Sequence, residues 1–527
     1  MTTTWHMNAL RESWLMDRRT RWLSITAIMA LGVLLRLWSP KFGEDLWYDE
    51  IFSLMTAKLP IGEMAHRLLL GGESSPPLYT LLLHFWIKLG SSDAYIKLLS
   101  VLFGTASLWV IYILTSRVAN HLAALGSCLL LSVSESFIQY SIEARAYALF
   151  TFLSLLSTYC FVSALLGTQP GQKFGLKSVW AGYIAVTVLA VYSHWFGLLL
   201  PAIHGVGLII YRPRTLRPVL QFALCLAIIG CLCAPLALLL VNQFKASEQT
   251  GGLNWPGRPN LRTLFDLVLF TTGGRGLLIL SFALLIVALS RLKSHPWDEK
   301  MRRSMTFVIT YILLPVITTY AVSSFSRRYS FFVFRYLLPF VVGFYILIGM
   351  MLSTLGRKAM LAFFAALALI PIISVVKHRD PAKNSYSRLS SETCLNGDTG
   401  VLVAHLSPMS YLPVRHYRTC EMNEKLIWDE EARRDDLISF DINSGMINRE
   451  DPEDVGKALQ EYRELWLVID PGDIGRRTRA VWRRIKEDGR FSLESEEQFG
   501  NLRMERYRKD AVRSDGRVEE DRRSSMR

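Results

Sequence analysis

The chain has 527 residues, 51% of them hydrophobic, and a formal net charge of +14. Its apolar residues come in runs of about 17–25, long enough to cross a bilayer at about 1.5 Å per residue, so a soluble enzyme is excluded and a multi-pass membrane protein with room for a polar domain is expected. The positive charge gathers in short loops between these runs, where it sets orientation and is no signature of nucleic-acid binding.

Residues 1–21 form a basic arm. Arg11, Arg18, Arg19 and Arg21 precede the first apolar run. No small-residue cleavage site follows them, so this run is expected to remain as an anchor. Spans are expected near residues 22–38, 94–116, 122–141, 147–167, 178–196, 197–211, 219–241, 274–290, 305–322, 336–354 and 359–377. With these eleven spans, every basic loop falls on the side of the N-terminus. Those loops hold Arg117, Lys173 with Lys177, Arg212, Arg214 and Arg217, the stretch from Arg291 to Arg303, and Arg357 with Lys358. The positive-inside rule makes that side cytoplasmic.

The apolar segment from Pro77 to Gly90 tests the count. At about 14 residues it reaches roughly 21 Å, too short to span comfortably. Counting it as a span would also divide the basic loops between two sides. It reads as a helix lying in or dipping into the outer interface, which leaves residues 39–93 as one long first external loop inside a membrane domain of residues 22–377.

An odd span count places the remainder outside the cytoplasm. Short apolar runs, Val401-Leu402-Val403-Ala404 and Leu465-Trp466-Leu467-Val468-Ile469, alternate with charged helical stretches. That pattern predicts a small extracytoplasmic α/β domain over residues 378–506. Residues 507–527 are charged, nearly free of apolar side chains, and expected to be disordered. Of seven cysteines, Cys128, Cys160, Cys225, Cys231 and Cys233 fall in spans and read as packing residues. Cys394 and Cys420 lie in the external domain, where a disulfide is permitted, and are expected to pair.

The chemistry is expected at the outer ends of the spans. Asp49-Glu50 follows the first span almost at once, flanked by Trp47 and Tyr48. Acids at a membrane surface suit a base placed where a lipid-borne substrate meets an aqueous one, although a solvated loop is the plainer reading. Glu143, Arg145 and Tyr147 follow the third span, His194 ends the fifth, and Arg327, Arg328, Arg335 and Tyr336 precede or open the tenth. Ionisable groups at this depth are costly and usually functional. Each has a simpler alternative: Arg327 and Arg328 meeting lipid headgroups, His194 as a hydrogen-bonded interfacial histidine, Glu143 and Arg145 pairing with each other. Their shared side and depth favour a site.

The order of these motifs resembles a known family. Trp47-Tyr48-Asp49-Glu50 in a long first loop is followed by Ser75-Pro76-Pro77-Leu78-Tyr79 opening an amphipathic helix, then Glu143-Ala144-Arg145-Ala146-Tyr147, then Arg335-Tyr336-Leu337-Leu338-Pro339. This is similar to the GT-C integral-membrane glycosyltransferases of family 39, the bacterial branch related to protein O-mannosyltransferases and aminoarabinose transferases, over roughly residues 20–380. The resemblance implies a GT-C fold in the bacterial cytoplasmic membrane, a polyprenyl-phosphate-linked sugar as donor, and a lipid, glycan or protein acceptor on the far side. It also implies inversion at the anomeric carbon, with the Asp of the acidic pair as base. That role carries over to Asp49, and Glu50 would orient the acceptor or Asp49.

The chemistry of the residues agrees. Displacement at a sugar carbon needs one base for the acceptor proton. The leaving phosphate needs positive charge, for which Arg145 and Arg335 are the first candidates, with Lys97, Arg327, Arg328 and His194 after them. A retaining glycosidase would instead need a second carboxylate about 5 Å away, and adjacent residues such as Asp49 and Glu50 tend to point apart.

Departures touch the metal question. Many relatives have His just before the Pro-Pro, where this chain has Ser75. The aminoarabinose transferases have an acidic metal ligand before their proline, and Glu73 lies nearby without matching the spacing. A His and two carboxylates could hold a divalent metal such as zinc, but nothing in the sequence brings them together, and no cofactor is fixed by the residues. Two competing readings remain. A flippase or transporter for lipid-linked saccharide predicts two-fold repeats and mid-membrane acids, neither of which is evident. An O-antigen ligase or polymerase would carry its large external loop late in the chain, and here it is first.

Overall fold

The computed structural model describes residues 18–70, 75–167, 175–249, 257–294, 297–326, 329–355, 362–363, 365–366, 369, 385–396, 400–428, 445–447, 452–471 and 476–510. The chain divides into two compact units. The first comprises residues 1–382 with 443–446, and the second residues 383–442 with 447–527.

The first unit is helical. Helix α1 (Arg18–Trp38) is followed by four shorter helices before the next long one: α2 (Pro40–Gly43), α3 (Tyr48–Lys58), α4 (Ile61–Leu69) and α5 (Leu78–Trp86). Then come α6 (Asp93–Val118), α7 (His121–Val133), α8 (Glu135–Ile142), α9 (Tyr147–Leu166), α10 (Leu176–Ser193), a 3-10 turn (Trp195–Leu198) and α11 (Leu199–Tyr211). The unit continues with α12 (Arg217–Cys233), α13 (Pro235–Gln249), α14 (Leu261–Thr272), α15 (Arg275–Ser294), α16 (Glu299–Phe325), α17 (Phe334–Val341) and α18 (Gly343–Leu352).

Starts are set by local chemistry. Ser92, Asn120, Ser134 and Asp298 each accept a backbone N–H from three residues on, capping α6, α7, α8 and α16. Breaks have equally local causes. Pro235 interrupts α12–α13 with a bend of 57°, and Gly273, at φ 73°, turns α14 into α15 through 85°. Ser134 ends α7 and caps α8 at a bend of 61°. Where helices meet closely the residues are small: a Cβ at Gly349 of α18 would lie 2.4 Å from the Ala123 carbonyl of α7.

Among the described residues, six helical spans are long and apolar enough to cross a membrane, or nine if each bent pair counts as one. Ten of the eleven expected runs have helical counterparts, and the run at 359–377 lies largely outside the described residues. The segment after Pro77 is a nine-residue helix, Leu78–Trp86, in keeping with its reading as too short to span. Helix α14 was not anticipated, because Arg262 and Asp266 dilute its apolar face.

The second unit is α/β. Its sheet has the order β3-β2-β1-β4-β6-β5, built from β1 (Val401–His405), β2 (Asn423–Trp428), β3 (Pro452–Asp454), β4 (Glu464–Ile469), β5 (Phe491–Phe499) and β6 (Leu502–Lys509). Strands β1 to β4 pair in parallel, while β6 pairs antiparallel with both β4 and β5. Both faces of β1 are buried, which explains its unbroken apolar run. Helices α19 (Tyr386–Asn396), α20 (Pro408–Tyr417), α21 (Val455–Glu461) and α22 (Arg476–Glu487) accompany the sheet. Cys394 and Cys420 form a disulfide.

Two boundaries differ from expectation. The units part after residue 382 rather than 377. The expected tail from 507 is strand as far as Lys509, with Tyr507 buried in the core. Charge misled here: Arg508 meets Glu494 of β5 at 2.8 Å, and Arg506 meets Glu392 of α19 at 3.1 Å, so these charges of β6 are paired within the unit.

Candidate active site

The site forms where α3, the link between α8 and α9, and the start of α17 converge. Helix α3 begins as its sequence dictates: the Trp47 N–H donates to the side chain of Glu50, three positions on, at 3.1 Å to Oε2. Asp49 therefore sits in the first turn, where the free N–H groups of the helix favour a carboxylate.

Asp49 and Arg335 meet. Asp49 Oδ2 lies 3.3 Å from Arg335 Nη2, with the two side chains 20% and 19% exposed, so a substrate can reach the pair. The rings of Trp47, Tyr147 and Tyr336 each lie 5.7 Å from the Arg335 guanidinium, which fixes the group as a bare point charge could not be fixed. Arg145 approaches from the α8–α9 link. Its Nη1 donates to the Asp49 carbonyl at 3.2 Å and to Ser53 Oγ at 2.5 Å, from the same end of α3. The Arg145 carbonyl accepts from Ser100 Oγ at 3.3 Å, and that hydroxyl meets Tyr79 Oη at 2.9 Å. Thus α5 and α6 hold the link in place.

Glu50 faces the protein interior. It is buried, and Oε1 accepts the Ala144 N–H at 2.7 Å while Oε2 caps α3. Burial pushes its carboxyl above the usual range, and the Lys97 ammonium and the two N–H donors pull it back. Glu50 thus ties the Asp49 turn to the Arg145 link, the second of its two expected parts, orienting Asp49. Lys97, expected among the phosphate ligands, is buried with Nζ donating to the Lys41 carbonyl at 2.8 Å and the Glu44 carbonyl at 2.6 Å. Two of its three donors are thereby committed to the first loop.

Glu143 and Tyr147 line the same region. Among the described residues, neither Glu143 Oε2 nor the Tyr147 hydroxyl has a hydrogen-bond partner, although both atoms are buried. Burial, and then the Glu50 carboxylate, push the Glu143 carboxyl up to about 8. Among the described residues no ion pair joins Glu143 to Arg145, whose Nη1 donates to the Asp49 carbonyl and to Ser53. His194 is buried behind this layer. It stacks on Phe150 at 4.9 Å, meets Tyr336 at 4.9 Å, and accepts the Phe196 N–H at 3.2 Å, which caps the 3-10 turn. Glu73, Arg327 and Arg328 lie outside the described residues.

Sequence reading missed Ser53 and Ser100, which carry no signal beyond being hydroxyls near charged motifs. It also missed Arg36, which is 0% exposed in α1. Its Nη1 donates to the Gly32 carbonyl at 2.8 Å, and its guanidinium lies 5.2 Å from the Phe137 ring, at the α7–α8 break. An arginine inside a span was signal enough to single it out.

Among the described residues, no group of three His, Cys, Asp or Glu side chains could hold a metal ion. His194 in particular is turned to the 3-10 turn. What the arrangement offers is a reachable carboxylate against a guanidinium, a second guanidinium beneath it, and an aromatic wall. That set can accept a proton and stabilise an anion.

A family model described as dolichyl-phosphate-mannose-protein mannosyltransferase matches residues 74–238, a stretch that includes Lys97, Glu143, Arg145, Tyr147 and His194 but neither Asp49 nor Arg335. Among solved structures, ArnT from Cupriavidus metallidurans in the apo state is similar with a TM-score of 0.61 at 11% identity, covering 93% of this chain and 98% of that one. The same protein bound to undecaprenyl phosphate gives 0.61 at 11% identity over 92% and 98%. The Archaeoglobus fulgidus oligosaccharyltransferase in complex with Zn and sulfate gives 0.51 at 11% identity over 84% and 67%. At these identities the structures establish a common fold. No curated protein sequence matches the chain. With the family model across its central helices and the ArnT fold along nearly its whole length, the chain is similar to the GT-C glycosyltransferases of the protein-mannosyltransferase and ArnT type.

Proposed function

We propose that this protein is a glycosyltransferase that moves a sugar, with inversion, from a polyprenyl-phosphate donor to a hydroxyl or amine of a lipid, glycan or protein. The observation that carries the reading is the Asp49–Arg335 pair at 3.3 Å, with Arg145 on the backbone of the same turn. Before substrate arrives, the carboxylate and the guanidinium satisfy each other. A donor phosphate that takes Arg335 into a bidentate contact releases Asp49 to act as base. Asp49 then accepts the acceptor proton, the acceptor atom bonds to the anomeric carbon, and the bond from that carbon to the phosphate oxygen breaks. The polyprenyl phosphate departs with the electron pair, its charge held by Arg335 and Arg145. Since a phosphate leaves without needing a proton, no second carboxylic acid is required. An ArnT structure with bound undecaprenyl phosphate shares this fold, which supports a lipid-phosphate donor.

In this reading the N-terminal arm and the basic loops are cytoplasmic, and the first loop and the α/β unit lie across the membrane from them. Buried Tyr147 and the neutral form of Glu143 provide a hydroxyl and a carboxyl proton that can meet sugar hydroxyls. Glycan profiling of a deletion strain identifies the structure that loses one residue. The mechanistic test is Asp49→Asn in membranes supplied with lipid-linked sugar. Turnover is expected to fall by about 10²–10⁴. Undiminished transfer removes Asp49 as the base.

A further inference from the structure

The end of the helical unit remote from Asp49 holds a cavity of about 290 Å³. Connectivity fixes its location. Arg18 and Arg21 lie in the first turn of α1, Arg117 in the last turn of α6, and His121 opens α7, whereas Asp49 falls between the opposite ends of α1 and α6. One wall is a continuous aromatic stack. Trp22 lies on Trp109 at 5.7 Å, Trp109 on Tyr112 at 5.7 Å, and Tyr112 on His121 at 6.1 Å, with interplanar angles of 17°, 26° and 23°.

A polar relay runs along the same wall. Arg21 Nη1 lies 2.7 Å from His121 Nε2, and Tyr112 Oη lies 3.0 Å from His121 Nδ1. A guanidinium only donates, so Nε2 holds the lone pair and the imidazole is neutral with its proton on Nδ1. That proton goes to the Tyr112 oxygen, which leaves the Tyr112 O–H to donate elsewhere. Arg18, Arg21 and Arg117 all line the cavity, and no acidic residue is among the described residues that do.

We propose that this cavity binds the phosphate headgroup of an anionic membrane phospholipid. Three guanidinium groups with no carboxylate among the described lining residues call for an anion: Arg117 donates to the Gly167 carbonyl and Arg21 to His121, but each guanidinium has five N–H donors, and the phenolic donor suits a phosphate oxygen. The volume is at the lower edge of the roughly 300–1,000 Å³ of small-molecule sites, enough for a phosphate with its glycerol and too small for a nucleotide. The cavity also borders apolar surface where acyl chains can run: Trp22 and Leu23 of α1 are 49% and 64% exposed. Basic residues that served only to orient the chain would need neither a cavity nor a relay. The site is independent of the glycosyl-transfer reading, since it lies at the other end of α1 and α6.

The test is native mass spectrometry of the full chain in neutral detergent, titrated with phosphatidylglycerol and with phosphatidylcholine of the same acyl length. The chain is expected to retain phosphatidylglycerol selectively, and Arg21→Gln with Arg117→Gln is expected to weaken retention by about tenfold or more. Tyr112→Phe, which keeps the stack, and Arg18→Gln, at an exposed position, should each weaken it by a smaller factor and serve if the double variant does not fold. Equal retention of the two lipids overturns the proposal. So does equal phosphatidylglycerol retention by the parent and by the folded variants. Saturation by inorganic phosphate with no lipid retained marks a soluble-anion site and likewise overturns it.

Discussion

Glu50 accepts the backbone N–H of Ala144 at 2.7 Å across 94 positions of sequence. Its other oxygen caps the helix that carries Asp49. One buried carboxylate therefore fixes the distance between the Asp49 turn and the Arg145 link. Glu50→Ala removes both acceptors and leaves a buried amide unsatisfied, so the fold is expected to lose about 1–3 kcal/mol and transfer to fall with it. Asp49→Asn is expected to behave otherwise, with an unfolding midpoint close to the parent and a large loss of turnover. Thermal unfolding and transfer measured on the same two preparations separate the roles. A Glu50→Ala protein as stable as the parent would refute the tether.

Arg335 is held by three rings, each 5.7 Å away, and by Asp49. Lysine at this position keeps the charge but loses the planar fork and its stacking. Arg335→Lys is accordingly expected to raise the donor KM by about tenfold or more, the worth of one charge-assisted hydrogen bond, with the acceptor KM unchanged. Donor and acceptor titrations distinguish this from a general loss of fold, which would move both.

Some of this was legible in the sequence because it depends on local pattern. Asp49 stood out as an acid directly after a span, and Cys394 and Cys420 as the two cysteines outside the spans. The short helix after Pro77 showed itself by length. Glu50 was expected to orient the acceptor or Asp49, but its partner across the fold was not legible, because that partner is a backbone N–H, which no residue type marks. The same holds for Lys97, whose acceptors are backbone carbonyls. Arg36 carried a signal, a charge within an apolar run, but its place at the α7–α8 break arises only from helix packing. The strand over 507–509 was hidden because its charges are neutralised by residues on neighbouring strands. Local chemistry was readable wherever the partner lay nearby or bore a charge, and unreadable wherever the partner was main chain from a distant element.

Glu143 gives a pH signature. Its carboxyl is raised from the ordinary 4.5 to about 8, first by burial and then by the Glu50 carboxylate, against Lys41 and Arg335. Between those values the folded chain holds a proton that the unfolded chain releases. The stabilisation is fully present below the lower value and is lost as the pH rises through the upper one. The unfolding midpoint is therefore expected to decline from about pH 5 to about pH 9, and Glu143→Gln, which stays neutral, to flatten that decline. A parent and variant with the same slope would exclude Glu143 as its source.

Lys97 separates two roles by experiment. Its ammonium engages the carbonyls of Lys41 and Glu44 at the end of α2, and its charge offsets the burial of Glu50. Lys97→Met keeps the aliphatic stem and removes only the ammonium. If the residue positions the loop, amide hydrogen exchange should quicken over residues 40–50, and turnover should drop while the donor KM holds. A phosphate ligand would give the reverse: a higher donor KM with exchange unchanged. The first pattern is expected, because an ammonium already donating to two backbone carbonyls would have to abandon at least one of them to reach a phosphate. That exchange would loosen the turn on which Asp49 depends.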